Sequence, residues 1–223
     1  MSLITTGGRS PSSSIMPDTV PRIFIVDDDI SVRESVEGLV RHEGWQPETY
    51  TSAQEFLSRP PAMAPSCLIL DVNLPDLNGL DLQQRVAERT AMPIIFITGY
   101  GDIPMTVRAM KAGAVEFLTK PFSDEALLAA IRSAIGRSEA ELAQETARRE
   151  LRERFATLSF REREVMQLIV RGLLNKQVGG ELGISEITVK AHRGKVMQKM
   201  RARSFANLVN MAGELGIQTT SKT

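Results

Sequence analysis

Between Pro21 and Arg137 the chain alternates short apolar, β-branched runs with stretches of helical period. The runs are RIFIV (22–26), QPETY (46–50), CLIL (67–70), PIIFIT (93–98) and VEFLT (115–119). After the first, Val32, Val36, Leu39 and Val40 recur at helical spacing and stop at Gly44, the residue that most cheaply adopts a left-handed stop. Ser52 with Glu55 predicts a capped second helix. Leu80 to Arg89 and Met105 to Ala112, the latter with Gly113 behind it, predict two more, and Asp124 opens a fifth. Five strands interleaved with helices require parallel crossovers of one hand, with both sheet faces covered. The predicted fold is therefore α/β, a doubly wound sheet whose chemistry collects beyond the carboxyl ends of the strands.

From Ala126 onward the helical composition continues without a breaker after Gly136. Charges of both signs crowd this stretch, and Leu142, Ala147, Leu151 and Phe155 form only a thin apolar stripe. It reads as a solvated connecting helix with room for weak pairing between two chains. Beyond it the period is purely helical. Ser159 with Glu162 is a capping box for a helix to Arg171, stopped by Gly172. A short helix from Lys176 to Leu182 ends at Gly183, Ser185 caps another to about Met200, and Phe205, Leu208, Val209 and Ala212 mark a fourth. Four short helices with a tight glycine turn before a basic one make an all-α helix-turn-helix unit.

Composition narrows the function classes. The 223 residues are 42% hydrophobic and 24% charged, ordinary for a globular chain of about two domains. The one cysteine, Cys67, permits no internal disulfide and fits a reducing, cytoplasmic setting. No apolar run approaches the roughly 18 residues of a membrane span. The Ser/Thr/Gly/Pro-rich first twenty residues lack a basic head and an apolar middle, so they read as a disordered leader. The formal net charge of zero conceals two opposite halves: residues 1–150 carry 14 Lys and Arg against 21 Asp and Glu, residues 151–223 carry 13 against 6. That asymmetry points to an acidic module tied to one that meets polyanions.

In the acidic half the strands end in Asp27, Asp28 and Asp29, in Asp71, in Thr98 and in Lys120, so acids, a hydroxyl and an ammonium arrive at one sheet edge. Crowded carboxylates repel unless a cation sits among them, and an all-oxygen set suits Mg2+ better than zinc. With such an ion and a lysine to neutralise a phosphoryl group, one carboxylate is free to act as nucleophile. Asp29 precedes a helix and reads as its cap; Asp76 and Asp81 read as solvated loop and first-turn acids.

The blocks IVDDD (25–29), LILDVNLPDLNG (68–79), IIFITGYGD (94–102) and AVEFLTKPF (114–122) together resemble the signature of two-component receiver domains. The resemblance implies a flavodoxin-like (βα)5 fold in which Asp71 accepts phosphate from a partner histidine kinase. It further implies Mg2+ ligation by Asp28, Asp71 and the Asn73 carbonyl, with Asp27 holding the metal through water. Lys120 would bridge the phosphoryl group ahead of a cis Pro121, Thr98 would move toward phosphate, and Phe117 occupies the aromatic switch position, where tyrosine is commoner. Residues 101–113 would form the fourth-helix region that rearranges.

In the basic half, Val189, Val196 and Met200 fall on one face of a helix and predict a core-facing stripe. The opposite face carries Ile187, Thr188, Lys190, Ala191, Gly194 and Lys195. Small residues beside lysines fit a duplex groove: Lys190 to a guanine or phosphate, and Arg193, Lys195, Lys199 and Lys176 to the backbone. His192 reads as a packed hydrogen-bonding residue, and Gly194 as local strain or close packing. Residues 158–200 resemble the LuxR-type DNA-binding domain, with Gly179 where alanine is usual. The joint arrangement is similar to the NarL/FixJ response regulators, on the FixJ-like branch.

The expected organisation is a leader (1–20), a receiver domain (21–137), a helical linker (138–157), a LuxR-type domain (158–217) and a flexible tail (218–223). The expected function is a cytoplasmic regulator binding promoter DNA as a dimer upon phosphorylation, with RNA polymerase a candidate partner, no membrane, and no enzyme activity beyond slow loss of its own phosphate. A phosphohydrolase of the haloacid dehalogenase kind would need an acid two residues after the nucleophile, and Asn73 stands there. An RNA-binding module would need exposed aromatics, whereas Phe155, Phe160 and Phe205 all fall at apolar-period positions.

Overall fold

The computed structural model describes residues 20–60, 62, 64–89, 92–99 and 103–218. Residues 1–19 of the expected leader, Tyr100 to Asp102 and the last five residues of the expected tail lie outside the described residues. The chain divides into two compact units, Met1–Leu142 and Ala143–Thr223.

In the first unit β1 (Arg22–Val26), α1 (Ile30–His42), β2 (Gln46–Tyr50), α2 (Ala53–Ser58), β3 (Ser66–Asp71), α3 (Gly79–Arg89), β4 (Ile94–Thr98), α4 (Ile103–Lys111) and β5 (Glu116–Thr119) follow in strict alternation. The five strands are parallel in the order β2-β1-β3-β4-β5. Because successive side chains of a strand point to opposite faces, each buried strand feeds two cores. Ile23, Ile25, Ile69, Ile95 and Ile97 pack with Val36 and Val40 of α1 and with Leu127 and Ile131 further on. Phe24, Val26, Leu68, Leu70 and Phe96 pack on the other side with Phe56 of α2, Leu82 and Val86 of α3 and Ala109 of α4. The order reverses between β1 and β3, the switch point where an open sheet leaves a crevice at its carboxyl edge.

One helix, α5 (Asp124–Ala156), runs unbroken for 33 residues. The expected linker of 138–157 does not stand free along its length. At its start, buried Ser138 accepts from the Ser66 N–H at 3.0 Å, pinning that turn to the edge of the sheet. Near its end, Leu151 is buried in the core of the second unit and Phe155 packs against it. Of the thin apolar stripe, Leu151 and Phe155 join that core, whereas Leu142 is half-buried and Ala147 exposed.

The second unit continues with α6 (Phe160–Val170), α7 (Asn175–Leu182), α8 (Glu186–Met200) and α9 (Phe205–Glu214). Ser159 and Glu162 close a full capping box at the start of α6, and Ser185 caps α8 by accepting from the Thr188 N–H. Gly183, with φ +67°, ends α7 in the left-handed conformation that makes the turn into α8 tight. Val189, Val196 and Met200 are fully buried, as the spacing predicts. No helix among the described residues is long and apolar enough to cross a membrane.

Candidate functional site: an acidic crevice and a basic helix

Parallel register sets the crevice. Val26 lies opposite Leu70, so the residues that follow, Asp27 and Asp71, leave adjacent strands side by side at the switch point. Thr98 and Thr119 pair at the ends of β4 and β5, and the Lys120 N–H donates to the Thr98 carbonyl at 2.8 Å. That bond brings Lys120 to the same edge, and the Lys120–Pro121 peptide that follows is cis. Lys120 Nζ then donates to Asp27 Oδ2 at 2.7 Å and to Asp71 Oδ2 at 2.8 Å.

The second oxygen of each acid is held by the backbone. Asp27 Oδ1 accepts from the Asp29 N–H at 2.9 Å and Asp71 Oδ1 from the Asn73 N–H at 3.0 Å. Asp27 is fully buried and Asp71 nearly so, while Asp28 and Asn73 are exposed. Burial pushes the Asp27 carboxyl above its ordinary value, outweighing the bonds from Lys120 and Asp29 that favour the anion. Burial also pulls on Lys120, but here the hydrogen bonds and charges of Asp27 and Asp71 win and hold the ammonium above its usual range.

Carboxylate oxygens of Asp27, Asp28 and Asp71 lie within 4.8 Å of one another, the one such grouping of three potential metal-ligating side chains among the described residues. A donor set made only of oxygens fits a hard divalent ion. Asp29 caps α1, accepting from the Ser31 N–H at 2.8 Å. Thr98 is fully buried at the end of β4 and, by strand alternation, lies on the same sheet face as Phe96 and α4. Phe117 joins that face, half-buried with its ring 6.1 Å from Phe96.

Two residues of the crevice were not legible as such. A Cβ on Gly79 would lie 2.6 Å from the Asp71 carbonyl and 2.9 Å from Val72 Cα, so only glycine lets α3 begin against the acceptor strand. The Asn-Gly pair at 78–79 marks a turn, but nothing local shows what that turn touches. Asp76 is the other. Exposed as expected, its carboxylate also accepts from the Ala53 and Gln54 N–H groups at the start of α2.

The basic helix α8 exposes Ile187, Lys190, Ala191, Gly194 and Lys195, and Lys176 of α7 is exposed as well, while Thr188 is half-buried beside its cap. Lys190 pairs with Glu186 one turn back at 3.1 Å, an exposed contact that offers little resistance to a competing phosphate. A Cβ on Gly194 would meet nothing within 4 Å, which overturns close packing as its explanation and leaves a smooth spot on the outer face. By contrast, a Cβ on Gly179 would lie 2.7 Å from the Ile184 carbonyl, so Gly179 is where α7 packs on the turn.

Four further residues have partners or an exposure that spacing alone does not show. Lys199, though exposed, donates to the buried Glu162 carboxylate at 2.6 Å and to the Thr157 carbonyl at 3.1 Å. Arg193 reaches the Asn175 side chain at 3.2 Å and lies over the Phe205 ring at 4.9 Å, joining α7, α8 and α9. His192 is packed, but its Nδ1 is buried without a hydrogen-bond partner. Phe160, placed on an apolar period, is 74% exposed because it is the first residue of α6, before that helix meets the core.

Comparison with known proteins agrees with both halves. Residues 23–132 match the response regulator receiver domain and residues 156–212 the bacterial regulatory proteins of the luxR family. Nodulation protein W of Bradyrhizobium diazoefficiens is 52% identical over 95% of this chain and 91% of its own length. Transcriptional regulatory protein FixJ of Azorhizobium caulinodans is 43% identical over 91% of this chain and 96% of its own. The solved structure of the response regulator StyR superposes with a TM-score of 0.78 at 46% identity, over 88% of this chain and all of that one. A switch-point crevice of acids in one unit, a basic helix-turn-helix in the other and this full-length similarity make the chain a member of the FixJ-type response regulators, with a receiver domain and a LuxR-type DNA-binding domain.

Proposed function

We propose that Asp71 is the phosphoacceptor of a cytoplasmic two-component relay and that its phosphorylation switches promoter binding. The observation that carries this reading is the shared lysine: Lys120 spans Asp27 and Asp71, so the carboxylate that would attack phosphorus has a cation already beside it. An oxygen of Asp71 attacks the phosphorus of a phosphohistidine on the partner kinase. The new O–P bond forms as the P–N bond breaks, and the imidazole nitrogen keeps the electron pair. Asp28, Asp71 and the Asn73 carbonyl would hold a magnesium ion, with Asp27 bound through water, and the ion would supply positive charge for the transferring phosphoryl oxygens. Lys120 follows the charge from carboxylate to phosphoryl oxygen, and Thr98, at the neighbouring strand end, offers its hydroxyl.

Thr98 and Phe117 share the sheet face of α4, so a change at the phosphoryl group reaches α4 by the shortest route. Two states of that face, their populations shifted by phosphorylation, are sufficient for switching. The output reads DNA through Thr188, Lys190, Ala191, Gly194 and Lys195, with Lys176 on the backbone. As a dimer it covers half-sites about one helical turn apart, roughly 10 base pairs. Receiver (21–137), linker helix (138–157) and DNA-binding domain (158–217) divide the labour, and slow autodephosphorylation resets the switch. Contact with RNA polymerase would complete the output.

Incubation with acetyl phosphate and Mg2+ should add one phosphoryl group to the wild type, at Asp71 by mass spectrometry, and none to Asp71→Asn. Genome-wide footprinting of the two should then differ at promoters. An unmodified position 71, or the same occupancy for both chains, refutes the reading.

A further inference from the structure

We infer that Asp76 is a positioning residue for the cation and phosphoryl site, acting by clamping the loop between β3 and α3 onto the start of α2; this rests on the metal reading above. The N-terminus of α2 is capped from two places. Ser52 takes the Glu55 N–H at 3.2 Å through its side chain, and Glu55 itself reaches back to the Thr51 N–H at 2.9 Å. The first two amides of the helix, at Ala53 and Gln54, go instead to the two oxygens of Asp76, at 3.2 and 2.9 Å. A carboxylate straddling two helix N-terminal amides is favoured by both the hydrogen bonds and the local dipole.

What the bond holds is the loop that carries Asn73. Its base is tied several times over. Gly79 N–H donates to the Val72 carbonyl at 2.9 Å, Asn73 and Asn78 form an antiparallel bridge, and the Asn73 N–H donates to Asp71. The tip, Leu74 to Leu77, has Leu74 buried and Leu77 half-buried against the sheet, and Asp76 as its hydrogen-bonded link to α2. The Asn73 carbonyl belongs to the peptide entering that tip. Its direction, and so its fitness as a third oxygen ligand, depends on where the tip is held. Asp76 thereby supports a metal ligand without being one, since both of its oxygens are engaged by amides.

The test uses the full chain, Mg2+ alone by isothermal titration calorimetry, and amide hydrogen exchange. Asp76→Ala should weaken Mg2+ binding about tenfold or more, the usual scale for losing a support behind a ligand. It should also speed exchange at residues 73–78. Asp76→Asn, which keeps one carbonyl acceptor and guards against a misfolded alanine variant, should fall between. Ser52→Ala removes the other cap of α2 without touching the loop, so it should loosen α2 while leaving the Mg2+ affinity within twofold of wild type. Wild-type affinity in Asp76→Ala overturns the inference alone. Equal loss in Ser52→Ala also overturns it, by making Asp76 a helix cap and nothing more. A wild type that takes up no Mg2+ overturns both the inference and the metal reading.

Discussion

Removing the carboxylate of Glu162 will loosen the helical module, by an amount that follows from what the side chain touches. It is 3% exposed, and its Oε2 accepts from Lys199 at 2.6 Å and from the Ser159 N–H at 2.8 Å. The hydrogen bond from Lys199, ahead of the capping bonds at Ser159, depresses its pKa to about 2. Glu162→Gln keeps an acceptor for Ser159 and loses the charge-assisted bond, a cost of about 1.5–3 kcal/mol. In a module of this size each kcal/mol moves the melting midpoint by about 4–8 °C, so the module's calorimetric transition should fall by roughly 6–24 °C at pH 7. Lys199→Met should cost a similar amount by stranding the acid, and the double variant should show a coupling of about 1–3 kcal/mol. Because the folded pKa lies below the ordinary glutamate value of 4.5, the stabilisation is complete above that value. It is lost as pH falls from there toward about 2, so the gap between wild type and Glu162→Gln should close over that interval. The same geometry governs DNA binding. Lys199→Met should leave the slope of log affinity against log salt unchanged, whereas Lys190→Met and Lys195→Met should each reduce it by about 0.9. Strictly additive single variants, a gap unchanged between pH 7 and pH 3, or a slope loss for Lys199 equal to that for Lys195 would each refute the reasoning.

Gly194→Ala should raise the melting midpoint, since it gains about 1 kcal/mol of helix propensity in open space, whereas Gly179→Ala must push a new Cβ past the Ile184 carbonyl; calorimetry should rank the first variant above the second by at least about 1 kcal/mol. Equal midpoints would remove the packing role given to Gly179. Asp27→Asn should leave the metal-free protein as stable as wild type or more so, by about 0.5–2 kcal/mol, because burial disfavours the charge there, and it should weaken Mg2+ binding measured by calorimetry. As a carboxyl whose folded pKa lies above its ordinary value, Asp27 favours the fold more as pH falls from the folded value to the ordinary one, a contribution that Asp27→Asn should remove in thermal melts across a pH series.

Local pattern determined most of the architecture. Alternating β-branched runs and helical periods gave the strands and helices with bounds that the structure shifts by only a residue or two, and caps such as Asp29, Ser159 and Ser185 stand where their spacing puts them. The acids were legible as a cluster for the same reason: parallel strands of known hand deliver their last residues to one edge, so Asp27, Asp71, Thr98 and Lys120 converge whatever else the chain does. Partner choice was not legible. Lys199 meets an acid 37 residues away, Asp76 caps a helix 23 residues back, and Arg193 bridges to a ring on another helix. Spacing along an element states which way a side chain points relative to its own axis, whereas these partners depend on how two elements cross, which no local period encodes. The glycines separate the two kinds of information most cleanly. Gly79, Gly179 and Gly194 look alike in sequence, yet the first two sit against backbone carbonyls and the third against open space. Only packed neighbours decide whether a missing side chain is a necessity or a gap.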